Sequence, residues 1–268
     1  MQKTIFLTIR LIMLPFICFV LACNLAFADA VQKGLQIAIE SKVRDRGWKD
    51  SSANLQMYLY RKGGDEPALR EMRILSLEMI GDGDKSLTIF DNPRDVQGTA
   101  FLSFTHIQKP DDQWLYLPAL KRVKRISSKN KTSPFMGSEF SYEDLNSFEV
   151  ERYSYVWLKD ENYDNQLCFV LEMTPFDEYS GYSKQVVWID QQHYRAQKVD
   201  YYNRKGVHEK TLVLGDYQQH LHQFWRAHTQ TMDNHLNGRR TVIRMGNYQF
   251  QTGLDENDFT QNSLKRAR

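Results

Sequence analysis

The strongest constraint on the fold is a side-chain period of two that begins near Leu55 and runs almost to the C-terminus. Leu55-Met57-Leu59, Phe101-Ser103, Trp114-Tyr116, Tyr153-Tyr155-Trp157, Leu167-Phe169-Leu171-Met173, Val186-Trp188 and Thr241-Ile243-Met245 each set apolar or aromatic groups on one side of an extended chain. Turn clusters separate these runs: Gly63-Gly64-Asp65, Gly81-Asp82-Gly83, Asp91-Asn92-Pro93, Pro110-Asp111-Asp112, Asn162 to Asn165, Asn203 to Gly206 and Asn237-Gly238. Spacings of roughly 10 to 20 residues suit consecutive antiparallel hairpins rather than βαβ units. Roughly ten to twelve strands in one meandering sheet must curl, and the concave face of a curled sheet has to be filled. One filler is an amphipathic helix in which Val31, Leu35, Ala38, Ile39 and Val43 recur at helical steps before Gly47, and which should lie against something apolar. Short helical turns are expected near Ser141 to Leu145 and near Asp255 to Phe259. No linker divides the strands, so residues 29–268 are read as a single domain, mainly β with a few helices.

Residues 1–28 read as a cleavable export signal. Lys3 and Arg10 supply the positive end, Leu11 to Ala22 the apolar stretch, and Ala26-Phe27-Ala28 a small-x-small cleavage site that would leave Asp29 first. The apolar stretch is short for a membrane span and is broken by Pro15. Val20-Leu21-Ala22-Cys23 also resembles a lipobox, which would instead leave a lipid-anchored Cys23. The chain has 35 basic and 33 acidic side chains. Removing Lys3 and Arg10 leaves 33 of each, so a mature chain has no charge footprint for general nucleic-acid binding. With Cys18 and Cys23 in the leader, only Cys168 remains. It has no disulfide partner and sits in the apolar run Leu167 to Leu171, as a buried hydrophobe rather than a nucleophile would.

No GxSxG, HExxH, P-loop or GxGxxG signature is present. Gly81-Asp82-Gly83-Asp84 lacks EF-hand spacing and reads as a turn. His220, His222 and His228 share a strand parity, but positions 222 and 228 lie roughly 20 Å apart when extended. Solvated histidines are the default there, with a two-histidine metal site as the alternative. Glu143-Asp144 would be the carboxylate pair of a hydrolase, yet adjacent residues in a helical turn point apart. No catalytic residue, metal ligand or cofactor is assigned, and no enzyme activity is expected. Aromatics make up 13% of the chain, which composition alone assigns to β propensity in preference to a ligand groove.

The stretch from Trp114 to Leu145 stands apart. Trp114-Leu115-Tyr116-Leu117-Pro118-Ala119-Leu120-Lys121-Arg122-Val123-Lys124-Arg125-Ile126 is followed by a polar loop and then by Pro134-Phe135-Met136-Gly137-Ser138-Glu139-Phe140-Ser141-Tyr142-Glu143-Asp144-Leu145. The cluster Lys121, Arg122, Lys124, Arg125 could be an edge strand made basic against aggregation. Phe135-Met136-Gly137, directly after the polar loop, could flap over an opening with Gly137 as hinge. From Trp114 to Asp144 the sequence closely resembles the outer-membrane lipoprotein-sorting proteins, a LolA-like branch associated with RND-type exporters. That resemblance implies an unclosed antiparallel β half-barrel lidded by helices, located in the periplasm. It further implies a monomeric carrier or chaperone that binds lipid or lipoprotein acyl chains without catalysis, with an RND-type exporter as a partner. A lipid-sensing adaptor on the same fold is the alternative. The expected lining of the concave face is Trp114, Tyr116, Phe135, Met136, Phe140, Tyr142, Trp157, Phe169 and Trp188, with strand facing open to a one-residue slip. Lys121, Arg122, Lys124 and Arg125 are the expected contacts to a partner or to lipid headgroups.

Overall fold

Every period-two run named above is a strand. The computed structural model describes residues 27–266, so most of the export signal, including Cys18 and Cys23, lies outside the described residues. Helix α1 occupies 27–44. Thirteen strands follow: β1 (Asp50–Tyr60), β2 (Ala68–Leu77), β3 (Lys85–Asn92), β4 (Ala100–Phe104), β5 (Asp112–Leu117), β6 (Arg122–Ile126), β7 (Tyr153–Tyr163), β8 (Gln166–Pro175), β9 (Tyr182–Asp190), β10 (Ala196–Asn203), β11 (His208–His220), β12 (Phe224–Asn234) and β13 (Arg240–Phe250). Helix α2 (Gln261–Arg266) ends the described chain, and the two expected short turns are 3-10 helices at Glu143–Leu145 and Glu256–Asp258.

All thirteen strands form one antiparallel sheet in the order β6-β5-β4-β3-β2-β1-β13-β12-β11-β10-β9-β8-β7. Sequential hairpins build each half, and β1 joins them by pairing with β13 in a register that sets Leu55 beside Met245 and Met57 beside Ile243. Laid flat, such a sheet would be about 60 Å wide at ~4.8 Å per strand. One contiguous apolar cluster nevertheless takes side chains from every strand, among them Met57, Phe101, Leu115, Ile126, Tyr155, Leu171, Val199 and Ile243. Only a curled sheet brings these together. Strands β6 and β7 remain the free edges, so the barrel is not closed.

The chain crosses from one edge to the other through residues 127–152, a mostly exposed loop up to Pro134 and then a stretch buried inside the curl at Phe135 and from Ser138 to Tyr142. Hydrogen bonds from widely separated strands hold this segment. Arg70 of β2 donates to the Met136 carbonyl, and the Glu139 amide donates to Thr241 Oγ1 of β13 at 3.0 Å. Lys210 Nζ of β11 reaches the Glu139 carbonyl at 3.1 Å and Asp144 Oδ2 at 2.6 Å. Tyr182 of β9 donates to Asp144 Oδ1 at 2.7 Å. A second, smaller apolar cluster lies on the outer face, where Phe259 and Leu264 cover Leu87, Ile89, Ala100 and Leu102.

Helix α1 departs from its expected packing. Its larger apolar residues Leu35, Ile39 and Val43 are 41%, 44% and 51% exposed, whereas Ile37 and Ala38 are buried. The cause is close approach: a Cβ on Gly34 would stand 2.9 Å from the Trp157 backbone nitrogen. The helix seats the face carrying Gly34, Ile37 and Ala38 inward, with Gly34 against β7, and leaves Leu35, Ile39 and Val43 outward.

Candidate functional site

The main cavity, about 740 Å³, lies between the C-terminal end of α1 and the inner side of the sheet from β8 to β12. Strand alternation turns Met173, Val187, Ile189 and Val199 inward, and Phe148, Tyr194, Tyr217 and Trp225 complete the apolar wall. Polar groups at its rim include Ser41, Lys42, Arg44, Asp84, Arg195 and His222. A smaller cavity of about 160 Å³ adjoins it through Ser147, Phe148, Met173 and Gln185.

Helix α1 is fastened on two sides of this opening. Lys42 Nζ donates to the Phe148 carbonyl at 2.8 Å and to Glu149 Oε1 at 3.0 Å, tying the helix to the 127–152 segment. Ser41 Oγ donates to the Tyr194 carbonyl at 2.8 Å, and Arg44 lies 4.2 Å from the Tyr194 ring centre. The turn carrying Tyr194 is braced by Asp190, which is buried and accepts from the His193 amide at 2.6 Å and from Arg195 Nε at 2.8 Å. Burial acts to raise its pKa, but these bonds outweigh it and hold the carboxyl below its ordinary value. Asp84 differs. Burial pushes it up to about 6, Lys42 opposes the rise, and Glu149 and Glu78 add to it.

Six of the nine residues expected to line the concavity face inward. Phe135, Phe140 and Tyr142 are buried in the inner cluster, with Met136, Trp157 and Phe169 half-buried against it. Lys33 of α1 lies 3.4 Å from the Trp157 ring centre. Trp114, Tyr116 and Trp188 require correction. In β5 it is Leu115 and Leu117, and in β9 Val187 and Ile189, that join the inner cluster. Their strand neighbours must therefore point outward. Trp114 and Tyr116 pack on the outer cluster that Phe259 and Leu264 also join, and Trp188 lies 4.1 Å from the Lys198 ammonium, measured to its ring centre.

Phe135 plugs the interior, with Met136 half-buried and Gly137 exposed, rather than belonging to an open flap. The Phe135 ring is 1% exposed and sits 5.8 Å from Phe90, 5.3 Å from Phe101 and 5.4 Å from Tyr142. Left-handed backbone at Met136 (φ 48°) and Gly137 (φ 77°) makes the turn that drives the ring inward. Lys121, Arg122, Lys124 and Arg125 are all exposed at the β6 edge.

None of the expected lining residues borders the 740 Å³ cavity; its wall residues Tyr194, Tyr217 and Trp225 carried no distinguishing signal in the sequence. The other chemical candidates are dispersed. Glu143 accepts from the Gly181 amide at 2.8 Å while Asp144 pairs with Lys210, so the two carboxylates serve separate contacts. His220 and His228 meet tip to tip, Nε2 to Nε2 at 3.3 Å, whereas His222 lies in the following turn at the cavity rim. Among the described residues, no three His, Cys, Asp or Glu side chains are arranged to hold a metal ion. Cys168 is fully buried, and burial pushes its thiol up to about 11.

An unclosed antiparallel sheet curled around an apolar interior, with a helix laid across its open side, is the LolA-superfamily fold. A family profile described as an uncharacterized protein matches residues 82–266. The chain is 58% identical to a solved structure from Vibrio parahaemolyticus, described as an outer membrane lipoprotein-sorting protein domain, with a TM-score of 0.86 over 88% of this chain and 100% of that one. A DUF1329 family protein of Desulfovibrio piger is 29% identical, with a TM-score of 0.83 over 88% and 99% of the two chains. A LolA superfamily protein of Nitrosomonas europaea shares the fold at 19% identity, with a TM-score of 0.69 over 87% and 99%. No curated protein matches. The chain belongs to the family of that outer membrane lipoprotein-sorting protein domain, and it shares its fold with the LolA superfamily.

Proposed function

We propose that the protein is a periplasmic carrier that shields lipid or lipoprotein acyl chains in the concave face of its sheet, without chemical conversion. The observation that carries this reading is the 740 Å³ cavity between α1 and the apolar inner faces of β8 to β10. Each methylene withdrawn from water stabilises the complex by about 0.8 kcal/mol, so burying ten offsets roughly 8 kcal/mol of membrane affinity. Release then requires α1 to part from its contacts at Phe148, Glu149 and Tyr194, which a membrane partner of higher cargo affinity would favour. An RND-type exporter is the partner proposed, with the carrier acting as a monomer exported by cleavage before Asp29.

Trp225 provides the test because it lines the cavity. A fatty acid brominated along its chain should quench tryptophan emission, and Trp225→Phe should remove most of that quenching while leaving affinity for an unbrominated competitor near wild type. Quenching unchanged in Trp225→Phe would place the chain elsewhere, and no quenching by any acyl probe would overturn the carrier reading.

A further inference from the structure

The two free edges of the sheet are protected very differently. β7 carries Lys159, Asp160 and Glu161 in near balance, shifts register between Trp157 and Lys159, and has α1 seated on it. β6 is five residues long and hydrogen-bonds to β5 on one side only. Among the described residues, no other group bonds its backbone. Such a short edge needs little further protection from stray pairing. It nonetheless carries Arg122, Lys124 and Arg125, all exposed, with exposed Lys121 just before it and exposed Lys129 just beyond. Among the described residues, Arg125 alone of these has an acidic partner, Asp112. Helix α2, which packs on β4, β5 and β6, adds exposed Lys265 and Arg266.

We propose that the β6 edge is a docking site for an extended acidic segment of a partner protein, which adds to the sheet as a further antiparallel or parallel strand. Unpaired backbone groups supply the affinity of strand addition, and the side chains supply selectivity. A second copy of β6 would set like charges opposite one another and is excluded. Facing separates a strand from a membrane as the occupant. Arg122 and Lys124 stand opposite Leu117 and Leu115 and so lean to the inner side, while Arg125 stands opposite Trp114 on the outer side. A flat anionic surface meets one of these sides; an acidic strand, whose own side chains alternate, meets both. This inference concerns what the carrier docks to and does not depend on what it carries.

The test uses the exported protein and a labelled heptapeptide, Thr-Glu-Glu-Val-Glu-Glu-Thr, with binding read by anisotropy. Binding should weaken as salt is added and slow amide exchange across 122–126. The joint change Lys121→Gln, Arg122→Gln, Lys124→Gln, Arg125→Gln should weaken it roughly tenfold or more while the thermal melt stays unchanged. The same peptide N-methylated at alternate residues keeps every charge but cannot pair as a strand, and should also lose roughly tenfold or more. Equal binding of the N-methylated peptide would reduce the site to a charge patch. Capture by phosphatidylglycerol vesicles without peptide binding would make it a membrane contact, and binding of neither would leave edge protection alone; each of these overturns the proposal. Cargo quenching through Trp225 should be unaffected by the Gln changes, which separates failure here from failure of the carrier reading.

Discussion

Replacing Phe135 with Ala asks whether the 127–152 segment is a structural plug or a freely opening gate. The ring is 1% exposed and packs against Phe90, Phe101 and Tyr142, all within 5.8 Å between ring centres. Truncating a buried Phe to Ala costs about 3–5 kcal/mol, with the upper end reached where the surroundings cannot collapse into the space. Collapse is hindered here. The Phe135 amide donates to the Phe140 carbonyl at 2.7 Å, the Ser138 amide donates back to the Phe135 carbonyl at 2.9 Å, and Arg70 and Thr241 pin Met136 and Glu139 just after it. The expected loss is therefore about 4–5 kcal/mol, or roughly 8–20 °C in Tm for a domain of this size. Guanidinium unfolding and a far-UV melt would measure it, with an unchanged denaturant slope excluding a shift in the unfolded state. A gate that spends much of its time open would hide the truncation, and the loss would fall below about 1 kcal/mol. A melt within about 3 °C of wild type would refute the plug.

Two further substitutions test the buried charges. Asp84 has a folded pKa of about 6 against 3.8 unfolded, so the folded state binds this proton more tightly and the group's contribution to stability falls as pH rises through that window. Asp84→Asn should stabilise the protein at pH 7.5 by roughly 1–3 kcal/mol, allowing for partial exposure, and by almost nothing at pH 3.5; urea unfolding at both values checks the sign. Lys210 and Asp144 pair at 2.6 Å with side chains 5% and 2% exposed. Lys210→Met strands the carboxylate and should cost about 3–5 kcal/mol, part of which Lys210→Met with Asp144→Asn should restore. A cost under about 1 kcal/mol in the same urea assay would mean water reaches the pair.

The family motif from Trp114 to Asp144 made the fold legible, and the turn clusters made the hairpins legible. Facing was legible only where one side of a strand was wet. In β9, Val186, Val187, Trp188 and Ile189 are all apolar, because the outer face also packs, with Trp188 beside Tyr163 and the Lys198 ammonium. A strand with apolar residues on both faces has no period by which to choose one, and a slip of one residue exchanges the two sets. β5 misleads for a related reason: Leu264 of α2 and Phe259 just before it, far along the chain, help make an apolar outer face for Trp114 and Tyr116. In α1 the pattern identified a stripe but not its partner. Contact with β7 is set by how closely two backbones can approach, which favours Gly34 and Ala38 over Leu35 and Ile39 although the latter are more hydrophobic. The cavity is least local of all. Its wall needs Ser41, Met173, Tyr194 and Trp225 from four separate elements, and in Gln223-Phe224-Trp225-Arg226 no alternation marks Trp225 as the inward one of two adjacent aromatics. What gives that indole its place is the His193 ring, tilted against it at 4.7 Å between ring centres, and the Arg195 guanidinium 4.5 Å away, both set by the turn that Asp190 braces. A wall assembled in this way becomes visible only once the sheet has curled.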